Sequence, residues 1–320
     1  METSVNGSKK LEPELLNKSQ TLPFVSVIVP NYNGEKFIKD CLDSVYSSDY
    51  LNFEVILADD ASKDNSISII RNLFPKTKII PNKKNLGFVR NVNKAIKESN
   101  GEIIVLLNMD TVVRRDWLSE LVRALISDEK IGIVGSKILN ADGKTIQYAG
   151  AIVGSNGVPV HIGRGEEDVG QYDIPKEVEY ACGASVGFRK KILEEIGYLD
   201  KDYSPLYYED TDFSFRAKRH GYKVLYIPKS VLVHDETPST CGLTAKFYYR
   251  FHKSRIRFVI KVYGMKYFFT NFLKAEIEWL RKPQPKELRN QLIYAYLTNL
   301  FYLPRLLFSR FINILVLKGD

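Results

Sequence analysis

The stretch FVSVIVPNYNG, residues 24–34, decides the fold. Its first six residues are largely apolar and rich in β-branched side chains, and Pro30 and the Asn33-Gly34 pair stop the run. That is the pattern of a short buried strand delivering a polar turn. Residues 35–48 then place Phe37, Ile38, Cys41, Leu42, Val45 and Tyr46 on one helical face. A second strand, FEVILA (53–58), ends in Asp59-Asp60, and Ile67, Ile70 and Leu73 give residues 64–74 helical spacing. A strand at TKII (77–80), a helix over about 88–98 and a strand at IIVLL (103–107) complete the series. Strands this continuously apolar are buried on both faces, and linkers this long hold crossover helices. The expectation is a Rossmann-like, mostly parallel sheet flanked by helices.

Ligands of such sheets bind at the carboxyl ends of the strands. Here those ends carry Pro30-Asn31-Tyr32-Asn33, Asp59-Asp60 and Asn108-Met109-Asp110, so polar and acidic groups converge on one edge. The second half changes character. Residues 131–140 and 145–153 read as a hairpin around Asp142-Gly143. The Gly-rich, polar segment 154–180 reads as a mobile loop. Helices are expected at about 189–196, closed by Gly197, and at about 209–220, closed by Gly221. KVLYI and VLV then lead to His234.

At 320 residues there is room for one large α/β domain and an appendage. Three cysteines are too few and too scattered for a disulfide framework, and read as reduced, intracellular packing residues. Residues 1–22, polar and without an apolar signal core, are expected to be a flexible leader. The net charge of +8 is uneven: residues 245–320 hold 15 Lys/Arg against 4 Asp/Glu, a surplus of 11, which leaves the rest at −3. They also hold 17 of the 38 aromatics. The domain boundary is therefore expected at 244, with a helical, basic-aromatic extension that meets an anionic membrane surface, packs on the body or forms a homodimer. Its longest apolar stretch, Leu292 to Leu303, is interrupted by Thr298 and Asn299 and stopped by Pro304 and Arg305. A spanning helix needs about 20 apolar residues, so a helix lying in the headgroup region is expected instead. Nucleic acid is the less favoured anionic partner.

Several residues can carry chemistry. Asp110, two residues after Asn108 at a strand end, offers hard oxygen donors to a metal that bridges a diphosphate, or else forms a turn into the next helix. Glu209-Asp210-Thr211-Asp212 opens a helix. Acids there suit the helix dipole, but three in four residues exceed what capping needs, and a positioned carboxylate can serve as general base. His234 follows the last strand, where a neutral imidazole suits Mn²⁺. Asp59 and Asp60 can accept from a base or ribose, or start a turn with Ser62. Gly87 makes a turn at the same edge, with Arg90 one helical turn on.

In this order the segments VSVIVPNYNGEKFIKDCLDSV, VILADDASKDNS, NLGFVRNVNKAI, LLNMDT, CGASVGFRK, YYEDTDFSFRAKRHGYKV and VLVHDET resemble the family-2 glycosyltransferases of the GT-A fold, over residues 24–236. The layout is most similar to the rhamnosyltransferase-type branch that builds surface polysaccharides. The resemblance implies an inverting transferase that takes a nucleoside-diphosphate sugar and Mg²⁺ or Mn²⁺. It would act on a saccharide or lipid-linked acceptor, at the cytoplasmic face of the cell membrane. It implies that Pro30, Tyr32, Asn33 and Glu35 hold the nucleotide, with Asp59 or Asp60 on the base and Gly87 beside it. Asp110 and His234 would take the metal, Asp210 would be the base with Glu209 beside it, and Gly183, Ala184 and Ser185 would form a turn near the acceptor. Asn108 stands where the family often has a first Asp, and Arg90-Asn91 where it often has small residues. No QxxRW motif follows Asp212, which argues against a processive polymerase. The competing readings are a sugar-nucleotidyltransferase, which usually needs a Gly-rich basic loop after the first strand, a dehydrogenase, which needs G-x-G-x-x-G, and a sugar-nucleotide-binding scaffold without turnover.

Overall fold

The computed structural model describes residues 22–236 and 244–316, and side chains as far as 311; the expected leader lies outside it apart from Leu22. The apolar runs form the expected elements. Strands β1 (Val25–Asn31), β2 (Phe53–Asp59), β3 (Lys78–Pro81) and β4 (Ile103–Leu107) alternate with helices α1 (Ile38–Tyr46), α2 (Ser66–Leu73) and α3 (Phe88–Lys97). The face of α1 built by Ile38, Cys41, Leu42 and Val45 is buried, as its spacing requires. After β5 (Thr111–Val113) and α4 (Trp117–Ser127) come β6 (Ile131–Leu139), β7 (Ile146–Tyr148), β8 (Ala151–Val153), β9 (Pro159–His161), β10 (Lys176–Glu177) and β11 (Ser185–Arg189). Helices α5 (Ile192–Ile196) and α6 (Glu209–Arg219) and the long strand β12 (Lys223–His234) complete the body.

The main sheet has ten strands in the order β10-β12-β6-β11-β4-β1-β2-β3, with β5 on β12 and β7 on β6. β3, β2, β1 and β4 are parallel neighbours, and β12 runs parallel to β6. Between the two parallel groups β11 is antiparallel to both β4 and β6. This wedge sets Ala184 beside Asn108, whose N–H donates to the Ala184 carbonyl over 3.0 Å. It also corrects the expected helix from 189: the backbone is still strand at Arg189, and the helix begins at Ile192.

The hairpin expected around Asp142-Gly143 is present as β6–β7. Segment 154–180 is not a plain loop. β9 pairs with β8, β10 pairs with β12, and the buried Lys137 ammonium reaches Asp168 (2.9 Å) and Asp173. A buried cation needs such partners, so the charge pairing ties this segment to the sheet.

The C-terminal extension is helical: α7 (Ala245–Phe258), capped by the Thr244 hydroxyl, then α8 (Gly264–Tyr267) between two π turns, α9 (Leu273–Leu280), α10 (Lys286–Phe301) and α11 (Leu303–Val316). Its aromatics and aliphatics form a second core with Tyr203 and Tyr208 of the body. Part of its charge is used internally, contrary to the expectation that the basic residues face an anionic partner. Arg255 is fully buried against Glu276 (2.5 and 2.7 Å), Lys261 reaches Asp200 and Asp202, and Lys253 donates to the Ser204 carbonyl. Arg257 is buried too, bonded to Asn299 and the Asp202 carbonyl. The extension thus clamps residues 200–208, which lead directly into α6.

Candidate active site

The turn after β1 is built by Asn31, which is buried and donates to Asp59, Ser62 and Ser66 at 2.9–3.0 Å. Asn33 takes a left-handed conformation (φ 55°), and its side chain accepts from the Lys63 N–H. Glu35 accepts from both the backbone and the side chain of Asn65. Pro30 is half-buried in β1, while Tyr32 is exposed. Asn33 and Glu35 are therefore joined to the β2–α2 turn, and the two strand ends share one rim.

Asp59 and Asp60 are both buried, and both are engaged. Asp59 holds Asn31. Asp60 accepts from the N–H groups of Leu86 (2.7 Å) and Gly87 (2.9 Å) and from Asn82. Its first task is to shape the 85–87 turn. Gly87 is required for its own reasons: its φ is +81°, and a Cβ there would stand 2.7 Å from Pro205 Cβ. Arg90, on α3, is exposed.

At the β4 end Asp110 meets His234, with Oδ1 to Nε2 3.2 Å. The antiparallel pairing of β5 with β12, which aligns Thr111 with His234, brings together residues 124 positions apart. Asn108 is half-buried beside them. On its far side His234 Nδ1 lies 2.7 Å from Gln147 Oε1. Gln147 was not visible as a site residue, because only the β6–β7 hairpin brings it there. A carboxylate oxygen and an imidazole nitrogen facing one point are suitable donors for Mg²⁺ or Mn²⁺. Among the described residues no group of three His, Cys, Asp or Glu could hold an ion alone. That suits a metal whose other ligands come from phosphate oxygens and water.

The acidic helix start divides its labour. Asp212 is buried in an ion pair with Arg216 (2.7 Å) and accepts from the Tyr203 hydroxyl (3.1 Å), so it is structural. Asp210 is half-buried and accepts from the Gly183 N–H (2.8 Å), the Thr211 N–H (2.6 Å) and the Thr211 hydroxyl (3.1 Å). Glu209 is buried with its Oε2 unpartnered. Burial, and then the neighbouring Asp210, push the Glu209 carboxyl up to about 8. Burial raises Asp210 as well, but its three hydrogen bonds favour the ionised form. Of the two, Glu209, whose Oε2 has no partner, is the better holder of a proton, and Asp210, with three donors, the better carboxylate. Tyr207 and Tyr208, both with positive φ (78° and 70°), make the sharp approach to this helix. The Tyr208 ring packs on Phe251 and Phe258 of α7, and its hydroxyl donates to the Gly157 carbonyl.

Gly183 touches Asp210 directly, and Ala184 bonds Asn108. Ser185 does not join them: it is fully buried, its hydroxyl shared with Trp117 and Ser136. Its expected place near an acceptor is corrected to a place in the core.

The fold is that of GT-A glycosyltransferases. The model of glycosyl transferase family 2 matches residues 26–197, and the chain belongs to that family. A poly-β-1,6-N-acetyl-D-glucosamine synthase of Staphylococcus epidermidis is 28% identical over 73% of this chain and 55% of its own. The chain thus spans about half the length of that relative. Two solved structures share the fold. GalNAc-T7 with UDP, GalNAc and Mn²⁺ has a TM-score of 0.66 at 16% identity, over 87% of this chain and 55% of its own. The mannosyltransferase PcManGT of Pyrobaculum calidifontis, with GDP-Man and Mn²⁺, has a TM-score of 0.55 at 21% identity, over 90% and 74%.

Proposed function

We propose that this glycosyltransferase moves a sugar from a nucleoside-diphosphate sugar to a hydroxyl of a saccharide or lipid-linked acceptor, with inversion, in surface polysaccharide synthesis. The observation that carries the reading is Asp210: a half-buried carboxyl oriented by Gly183 and Thr211, whose three hydrogen bonds favour its ionised form over that of the unpartnered Glu209. The acceptor hydroxyl gives its proton to Asp210 as its oxygen bonds to the anomeric carbon. The bond to the diphosphate breaks on the opposite face, and the nucleoside diphosphate leaves. Asp110 and His234 would hold Mg²⁺ or Mn²⁺, which stabilises charge developing on the leaving group. Pro30, Tyr32, Asn33, Glu35 and Asp59 form the nucleotide rim, with Asp60 and Gly87 shaping its far wall. Arg90, exposed on α3, and Asn108, half-buried at the end of β4, are the further candidates for contact with the donor. The named activity of the staphylococcal relative and the nucleotides and Mn²⁺ in the two solved neighbours support this donor class. A panel of hexosyl and rhamnosyl nucleotide sugars, with and without Mn²⁺, tests it by thermal shift. One nucleotide should stabilise the protein only with metal, and Asp110→Ala should lose that response. If no nucleotide sugar stabilises the wild type, the reading fails.

The extension supplies a membrane contact at the cytoplasmic face. Ile293, Leu297, Leu300 and Phe301 of α10 and Phe308 and Phe311 of α11 are exposed, and Lys286 and Arg289 beside them are exposed cations, whereas Arg305 pairs with Asp202 over 2.7 Å. Aromatic and aliphatic side chains flanked by uncompensated positive charge suit anionic headgroups. No helix among the described residues is long and apolar enough to cross a membrane. Flotation with anionic vesicles should fall when Leu300 and Phe301 are replaced by Ser. Unchanged flotation refutes the contact, and conversion of a dimer to a monomer by the same change assigns the face to a second copy.

A further inference from the structure

The hydrogen bonds behind His234 have a direction that begins at the β6–β7 turn. The Asp142 carboxylate can only accept, and it takes the Thr145 hydroxyl proton over 2.8 Å. Thr145 Oγ1 is then an acceptor toward Asn140, whose Nδ2 lies 2.7 Å away and 3.5 Å from the Ile146 carbonyl, another group that only accepts. Asn140 must therefore present its amide nitrogen to the turn and its Oδ1 to Gln147 Nε2, at 3.5 Å. Gln147 in consequence presents Oε1 to His234 Nδ1, at 2.7 Å. An amide oxygen cannot donate, so Nδ1 carries a proton, and in the neutral imidazole Nε2 is left with a lone pair. That lone pair faces Asp110 Oδ1 across 3.2 Å. Two acceptors so close repel each other unless a cation joins them.

We propose that Gln147 is the positioning residue of the metal centre. Anchored through Asn140 and Thr145 to Asp142, it holds His234 as the Nδ1–H tautomer and reserves Nε2 for a divalent cation beside Asp110. The inference rests on the assignment of Asp110 and His234 to the metal. Without Gln147 the imidazole gains by reversing: Nε2–H donates to Asp110, and the nitrogen that would bind the metal is occupied by a proton. Outer partners that fix a ligating histidine typically change metal affinity by 10–100-fold. Gln147 is buried, and its backbone carbonyl also receives His161 Nδ1 at 3.3 Å, which fixes the backbone from which the side chain projects.

The test pairs a tautomer measurement with a binding measurement on the full chain. A long-range ¹H–¹⁵N spectrum of the metal-free protein at pH 8 has only four histidines to resolve. It should show His234 protonated at Nδ1 in the wild type and at Nε2 in Gln147→Leu. Mn²⁺ titration followed by electron paramagnetic resonance should show a 10–100-fold weaker site in Gln147→Leu. Gln147→Glu, whose carboxylate accepts the same proton, should keep both the Nδ1–H signal and Mn²⁺ binding within a few-fold of wild type. A wild-type Nε2–H tautomer overturns the proposal. So does a Gln147→Glu variant, folded by its amide spectrum, that loses Mn²⁺ as Gln147→Leu does. If Gln147→Leu fails to fold, the wild type and Gln147→Glu still decide. A wild type with the Nδ1–H tautomer that binds no Mn²⁺ overturns the metal assignment instead.

Discussion

Glu209→Gln should make the protein less sensitive to rising pH, because it removes a carboxyl that the fold prefers neutral. The wild-type group titrates near 4.5 when unfolded and near 8 in place. The folded state therefore binds the proton more tightly, and stability falls as pH rises through the window between those values. At pH 7.5 the folded group is still mostly protonated while the unfolded one has lost its proton. The difference corresponds to about 4 kcal/mol relative to pH 4, at 1.36 kcal/mol per pKa unit. The amide of Gln fills the same space and does not titrate. Urea unfolding at pH 5, 6, 7 and 8 measures the effect. The wild type should lose several kcal/mol across the series beyond what Glu209→Gln loses, and the variant should be the more stable at pH 8. Parallel curves for the two proteins would refute the burial argument and with it the assignment of the proton to Glu209.

Asp212→Asn should act on stability rather than on turnover. It leaves the buried Arg216 without its counter-charge, which costs about 3 kcal/mol. Urea midpoints should fall accordingly, while transfer per folded molecule stays near wild type. Gly87→Ala forces a Cβ into Pro205 at a φ that L residues avoid, and should lower stability by about 2 kcal/mol by the same assay. Because Pro205 precedes the approach to Glu209 and Asp210, transfer should fall as well.

The first parallel strands and their helices were legible because each is one unbroken apolar run between polar turns, and burial on both faces leaves no other periodicity. The strand-end acids were legible for the same reason, since a parallel sheet collects its carboxyl ends on one edge. The antiparallel β11 was not read from the sequence: its short run abuts the α5 pattern, and only pairing with both β4 and β6 determines where the strand ends. Ser185 was expected with Gly183 and Ala184 in a turn near the acceptor, because nothing local reveals that Trp117 and Ser136 need its hydroxyl. Segment 154–180 looked free because its anchors are the distant Lys137 and strand β12. The charge of the extension misled for a like reason. Lys261, Arg255 and Arg257 find their partners through folding, at Asp200, Glu276 and Asn299, and a count of cations cannot tell a buried ion pair from a solvated one. Gln147 is the same case at the active site.

Asp210→Asn, read by single-turnover sugar transfer alongside nucleotide-sugar binding, tests the central claim most directly. The amide keeps the shape of the carboxylate and its place beside Gly183, but it cannot take a proton from an acceptor hydroxyl. A positioned general base contributes about 10²–10⁴-fold. The account therefore predicts a loss of that order in the transfer step, with donor affinity changed little. Transfer at a near-native rate would contradict the mechanism, and joint loss of binding and transfer would make Asp210 a scaffold of the site rather than its base.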